Sequence, residues 1–155
     1  KGRSRSIPRG DLYQALVAAL QVPLGRIVNE YGMTELLSQF FEPVLLRSAP
    51  ESVDHRWHVG PSWVRTRVLD PETLQPAAPG TPGLLCHVDL ANLDSAVAVL
   101  TEDIGVDMVG LEGVSTAGRA FRLLGRAQGA EARGCSLAME ELLLDNEFQG
   151  FPGRL

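Results

Sequence analysis

Asn29-Glu30-Tyr31-Gly32-Met33-Thr34-Glu35 sets an aromatic, a glycine, a hydroxyl and a carboxylate directly behind Arg26-Ile27-Val28. If Ile27 to Glu30 is a buried strand, a turn at Gly32 lets backbone approach a ligand closely, and Thr34 and Glu35 point beyond the strand end. These residue types suit a nucleotide. Tyr31 can stack on a base, Thr34 can donate to a phosphate oxygen, and Glu35 can hold a magnesium ion that neutralises the phosphates. The same string also fits a strand running into a helix, with Thr34 at or near its cap.

The elements that must position these residues follow from periodicity. Asp11 to Leu20 puts Leu12, Leu16, Ala19 and Leu20 on one face, with Asp11 as cap and Pro23 beyond the end, so an amphipathic helix feeds the strand at Ile27. In Leu36 to Leu46, Phe40 and Phe41 can line a pocket or fill a core. The texture then changes to short runs, His55 to His58, Trp63 to Leu69 and Gly83 to Asp89, parted by Pro-rich turns such as Gln75 to Gly83. Trp63 to Leu69 alternates apolar and polar as a strand with one wet face should, and Asp70-Pro71-Glu72-Thr73 turns the chain back. Ala96 to Thr101 and Ala120 to Gly125 deliver Asp103 and Arg126 at strand ends, and Ser136 to Phe148 reads as a helix.

At 155 residues, with 45% hydrophobic and 21% charged, the chain can bury one modest core of the ordinary soluble kind. A formal net charge of -5 argues against a general nucleic-acid binder, whose affinity comes from neutralising phosphates with Lys and Arg. The basic cluster Lys1, Arg3, Arg5 and Arg9 reads as a solvated segment, or as an arm for an anionic partner. No stretch approaches the roughly 20 apolar residues of a membrane span, and no signal-peptide pattern is present, so a cytoplasmic location is expected. Cys86 and Cys135 have no metal-ligand spacing and look like free thiols of a reducing compartment. Cys86 reads as a buried structural thiol, and the adjacent His87 points to the opposite face of a strand, so the two are not a dyad. His55 and His58 flank Trp57 on opposite sides, with no cysteine or carboxylate pattern to complete a metal site.

The aromatic-Gly-x-Thr-Glu string resembles the core motif of the adenylate-forming superfamily. Leu100-Thr101-Glu102-Asp103 is similar to its Thr-Gly-Asp motif and Gly125-Arg126 to its Gly-Arg element, in the same order. The finer wording resembles the acyl-protein synthetase (LuxE-type) family: Asn29 to Leu36, Leu124-Gly125-Arg126 and Arg133-Gly134-Cys135-Ser136-Leu137. That resemblance runs from Lys1 to about Leu144. Two departures stand out. Glu102 replaces the superfamily's glycine, and the only lysine is Lys1, so the C-terminal catalytic lysine of typical acyl-CoA synthetases has no counterpart.

The resemblance implies a mixed α/β fold, the C-terminal part of an adenylate-forming-enzyme domain. An α/β segment (1–50) carries the nucleotide motif, a small distorted β-barrel-like meander follows (51–126), and a hinge with a terminal helix closes it (127–155). It implies ATP and Mg2+ as cofactors and a long-chain fatty acid as substrate, with an acyl reductase or acyl-transferase protein as partner. Tyr31, Gly32, Met33, Thr34, Asp103 and Arg126 would contact the nucleotide, Asp103 accepting from both ribose hydroxyls and Arg126 donating with a planar fork. Thr34 would also be catalytic, and Glu35 would hold the metal. Cys135 would take the acyl group as a thioester, helped by Arg133 and by the helix start at Ser136, which lower a thiol pKa. By themselves, Asp103 also fits a turn or helix cap, Arg126 a surface salt bridge and Cys135 a small residue packed at the hinge. The absence of an initiator methionine and of a Gly-rich Ser/Thr phosphate loop before Tyr31 implies a fragment, inactive alone, whose acyl pocket lies elsewhere. An acyl- or aryl-CoA ligase related to phenylacetate-CoA ligase, and a non-catalytic partner-binding module, are the alternatives.

Overall fold

Strands form where apolar and polar residues alternate, and the long ones come in sequence. The computed structural model describes residues 7–46, 52–108 and 120–127. Within them a helix, α1 (Arg9–Leu20), precedes β1 (Glu30–Tyr31), β2 (Phe40–Phe41), β3 (His58–Val59), β4 (Val64–Leu69), β5 (Gly83–Asp89), β6 (Ala98–Asp107) and β7 (Ala120–Arg126). β4 turns Val64, Thr66 and Val68 inward and Arg65 and Arg67 to water. β5 does the same with Leu85, His87 and Asp89.

The strands make one antiparallel sheet in the order β1-β2-β3-β7-β6-β5-β4. β4 to β7 are a meander, and the two-residue strands β1 to β3 extend it beyond β7. The fold is mixed α/β and sheet-rich. The expected barrel-like meander is corrected to an unclosed sheet. Its first strands are too short to reach round, and the outer edge of β4 is taken by the Pro-rich turn through the Leu69–Pro76 bridge and Ala77 N–H to Val68 O at 2.9 Å.

Unclosed does not mean flat. Four steps of strand spacing would separate β1 from β6 by roughly 19 Å in a flat sheet, yet Tyr31 of β1 is hydrogen-bonded to Asp103 of β6. The sheet therefore curls until side chains of its inner face meet. Tyr31, Leu36, Phe40, Val64, Val68, Leu85 and Phe121 fill the concavity. Register shifts at Leu84/Cys86 and Ile104/Gly105 supply part of the curl. A Cβ on Gly105 would stand 2.7 Å from Leu85 Cδ2 and 3.0 Å from Arg122 O, so the close approach there requires glycine.

Three expected elements are corrected. Ile27 to Glu30 is not a buried strand: a 3-10 turn occupies Leu24–Arg26, pairing starts at Glu30, and Val28, Asn29 and Glu30 are exposed. The cause is Arg56, whose guanidinium takes the Ile27 carbonyl, a group a ladder would need, at 2.9 Å and the Leu24 carbonyl of the preceding turn at 3.0 Å. β6 runs on through Asp103 to Asp107, so Asp103 is neither at a strand end nor a cap. α1 begins at Arg9 with Asp11 inside its first turn, and it buries Tyr13 rather than the Leu12–Leu20 face, because Arg9 and Arg56 lie over the Tyr13 ring at 5.6 and 5.0 Å. The helix does stop before Pro23, with Gln21 left-handed at φ 53. The terminal helix expected at Ser136 to Phe148 lies outside the described residues. No helix among the described residues is long and apolar enough to cross a membrane.

Candidate functional site

Asp103, Arg126 and Tyr31 come from three strands and meet. Asp103 and Arg126 are direct cross-strand partners on β6 and β7, and Arg126 Nε lies 3.3 Å from Asp103 Oδ1, with Nη2 3.5 Å from Glu102 Oε2. The Tyr31 hydroxyl donates to Asp103 Oδ2 at 2.8 Å. Arg126 follows Gly125, whose φ of 147 is reserved for glycine, which gives the Gly-Arg pair a backbone reason. Thr101 steadies the Asp103 backbone: its hydroxyl donates to Leu85 O (2.9 Å) and accepts from the Asp103 N–H (3.1 Å). Asp103 keeps 17% of its side chain open and Arg126 43%, so both can reach a ligand. The surface salt bridge that the sequence left open for Arg126 is thus present.

The Tyr31 ring has no face free for a base. It packs edge-on against Phe40 and Phe121, with centroids 5.8 and 5.1 Å away, and is tilted against His58 and His87. Burial, and then the hydrogen bond to Asp103, hold its phenol well above the ordinary tyrosine range. Behind it stands His87, to which sequence reading gave no role at this site. Its Nε2 is 3.4 Å from the Tyr31 oxygen and its Nδ1 3.0 Å from the Thr66 hydroxyl. Burial lowers the His87 pKa to about 4, against a smaller upward pull from Asp89.

Gly32 to Glu35 form an exposed turn, closed by Leu36 N–H to Met33 O at 3.1 Å, and Met33 packs on the core. Thr34 caps no helix. Its hydroxyl donates to Glu35 Oε2 at 3.1 Å. Residues further along pin this loop. Asn92 Nδ2 donates to Glu35 O at 2.7 Å, and Asp89 accepts from both the Ser38 N–H and hydroxyl at 2.9 Å, while Trp63 Nε1 donates to Ser38 Oγ at 2.9 Å. Among the described residues no cluster of three or more His, Cys, Asp or Glu side chains could hold a metal.

Beneath the loop lies a second polar cluster that sequence reading missed. Glu42 is fully buried and paired with Arg9 and with Arg56, the latter at 3.1 Å, and it also accepts from the Asn29 N–H at 3.2 Å. His58 Nε2 is 3.0 Å from Asn29 Oδ1, and burial, helped by Arg9, lowers its pKa to about 4. The only advance signal was an acidic residue inside the apolar run Leu36 to Leu46. Beside the cluster an open apolar cavity of about 610 Å³ is lined by Leu37, Phe41, Pro43, Leu46, Val59 and Trp63, among others. Of the two phenylalanines, Phe40 is core and Phe41 lines this cavity. Cys86 is a free thiol, half-buried rather than buried. Cys135 lies outside the described residues.

The profile of the acyl-protein synthetase (LuxE) family matches residues 2–144. The chain belongs to this family. It is 31% identical over 142 residues to the long-chain-fatty-acid--luciferin-component ligase of Aliivibrio fischeri, a match covering 91% of this chain and 35% of the relative. To the ligase of the same name from Vibrio harveyi it is 29% identical over 143 residues, covering 91% of this chain and 34% of the relative. The chain thus spans about a third of the length of these acyl-protein synthetase relatives. No solved structure is a significant match.

Proposed function

We propose that this chain is the nucleotide-contacting part of an ATP-dependent acyl-protein synthetase that activates a long-chain fatty acid and passes it to its own Cys135. The observation that carries the reading is the convergence of Tyr31, Asp103 and Arg126, far apart in sequence, into one hydrogen-bonded group. Asp103 accepts from the ribose hydroxyls, Arg126 donates to ribose or phosphate oxygens, and the Thr34 hydroxyl turns from Glu35 to donate to a phosphate. Tyr31 acts through its hydroxyl on Asp103, while Gly32 and Met33 shape the turn beside the nucleotide. Glu35 is a single exposed carboxylate, which fits magnesium held mainly by nucleotide phosphates and water. The ion would neutralise the phosphates there.

In the first half-reaction a carboxylate oxygen of the fatty acid attacks the α-phosphorus of ATP. A P–O bond forms, the bond to the β-phosphate oxygen breaks, and pyrophosphate leaves. In the second, the Cys135 thiol gives its proton to solvent and its sulfur attacks the acyl carbonyl, forming a thioester as AMP departs. An acyl reductase or acyl-transferase protein is the partner that would take the acyl group onward, and the reading carries a cytoplasmic location with it. The relatives are named for a luciferin component as acceptor rather than coenzyme A, so the CoA-ligase alternative is not favoured.

The test is intact mass of the full-length protein after incubation with ATP, magnesium and a long-chain fatty acid, beside Cys135→Ala. The expected result is a hydroxylamine-labile acyl adduct that is absent from the variant. Pyrophosphate release without a mass gain in either protein would overturn the role of Cys135.

A further inference from the structure

We infer that His87 and Thr66 are positioning residues for the nucleotide aspartate, because with Tyr31 they form a one-way hydrogen-bond chain from the core that ends on Asp103. The inference rests on the nucleotide reading of Asp103 and goes beyond it in assigning two buried residues of β4 and β5 to that site.

The direction of the chain follows from donor counting. A carboxylate only accepts, so the single proton of the Tyr31 hydroxyl points to Asp103 Oδ2. The Tyr31 oxygen can then act only as an acceptor, towards His87 and the nearby Thr101 hydroxyl, which places the imidazole proton on Nε2. Nδ1 is left as the acceptor, and the Thr66 hydroxyl donates to it. Every member of the chain has one orientation, and each fixes the next.

Packing alone does not explain an imidazole here. His87 has no solvent exposure and sits among Tyr31, Phe40 and Phe121, with ring centroids 5.5, 4.8 and 5.4 Å away. An apolar ring or leucine would fill this space without polar atoms to satisfy. What the imidazole adds is a donor aimed at the Tyr31 oxygen. That contact leaves Tyr31 one proton direction and anchors Oδ2 from inside, while Arg126 holds Oδ1. A ribose therefore meets a carboxylate whose rotamer is already set, and the lost freedom of Asp103 is not charged against binding.

The experiment is fatty-acid-dependent ATP–pyrophosphate exchange by the full-length protein, comparing His87→Leu, His87→Gln, Tyr31→Phe and the Tyr31→Phe/His87→Leu pair. His87→Leu should raise the ATP KM roughly 5- to 20-fold with kcat changed less than about twofold. His87→Gln, whose amide can present a donor near the Nε2 position, should recover most of the loss. In the Tyr31→Phe background His87→Leu should add nothing, since the link it serves is already cut. A merely structural role would give additive losses and no split between KM and kcat. An unchanged ATP KM in an active His87→Leu protein, or full additivity in the pair, would overturn the inference. If His87→Leu does not fold, Thr66→Val replaces it, with a KM rise expected and an unchanged KM overturning. No ATP-dependent exchange in the unsubstituted protein would instead sink the nucleotide reading itself.

Discussion

The Tyr31 hydroxyl donates to Asp103 across 2.8 Å, joining residues 72 positions apart. It ties the first strand of the sheet to the fifth in spatial order, and so it reports the curl as well as the site. Replacing Tyr31 with phenylalanine keeps the ring among Phe40, His87 and Phe121 and removes this link together with the longer contact to His87 Nε2. The expected cost is about 1–3 kcal/mol of folding stability, as for a hydrogen bond to a charged group that keeps some contact with water. A urea midpoint equal to that of the unsubstituted protein would show that the bond does not hold the curl.

Glu42 and Arg56 make a stronger demand on the core. Both are buried, and Arg56 also holds the carbonyls of Leu24 and Ile27. Arg56→Met alone leaves Glu42 short of a cation, and we expect a loss of about 3–5 kcal/mol. Changing Glu42→Leu together with Arg56→Met removes both desolvated charges and should recover a large part of that loss. Arg9 then becomes the unpaired partner, so recovery stays incomplete. A double variant less stable than Arg56→Met alone would contradict this account.

These two pairs also mark what was legible in the sequence and what was not. β5 was readable to its bounds and β4 to within one residue, because alternation and the flanking Pro and Gly are local signals. The Asp70 turn was readable for the same reason, its carboxylate accepting from Thr73 and Glu72 N–H groups. Ile27 to Glu30 was misread because its first carbonyl, that of Ile27, is taken by Arg56, a residue that no local pattern links to it. The motif order singled out Tyr31, Asp103 and Arg126, and the side chains do meet. The residues that hold them, His87, Thr66 and Thr101, could not be read, since each acts through a contact with a different strand.

Gly105 is a sharp test of the bulge beside Asp103. An added Cβ would press on Leu85 Cδ2 and on the Arg122 carbonyl, and only the first of these can move aside. Gly105→Ala should cost about 1–3 kcal/mol and loosen the β6–β7 register that pairs Asp103 with Arg126. Amide hydrogen exchange across 103–107 would report the loosening. Unchanged protection there would show that the sheet absorbs the methyl without shifting.

Acid should weaken this fold earlier than carboxylate titration alone would. His58 and His87 are both buried, and burial lowers each pKa from 6.5 to about 4. As pH falls from 6.5 towards 4, the unfolded chain takes up protons on two imidazoles that the folded chain leaves neutral. The stability from keeping them neutral is therefore full above about pH 6.5 and is lost as pH falls through about 4, at a scale of roughly 3 kcal/mol per histidine. Asp107, which burial raises, works the other way and softens the lower end of this range. Urea midpoints should drop steadily between about pH 7 and about pH 5, and His87→Gln should remove about half of that slope. A flat profile over this interval would mean that the imidazoles titrate in the fold as they do in the free chain, and that burial does not keep His58 and His87 neutral.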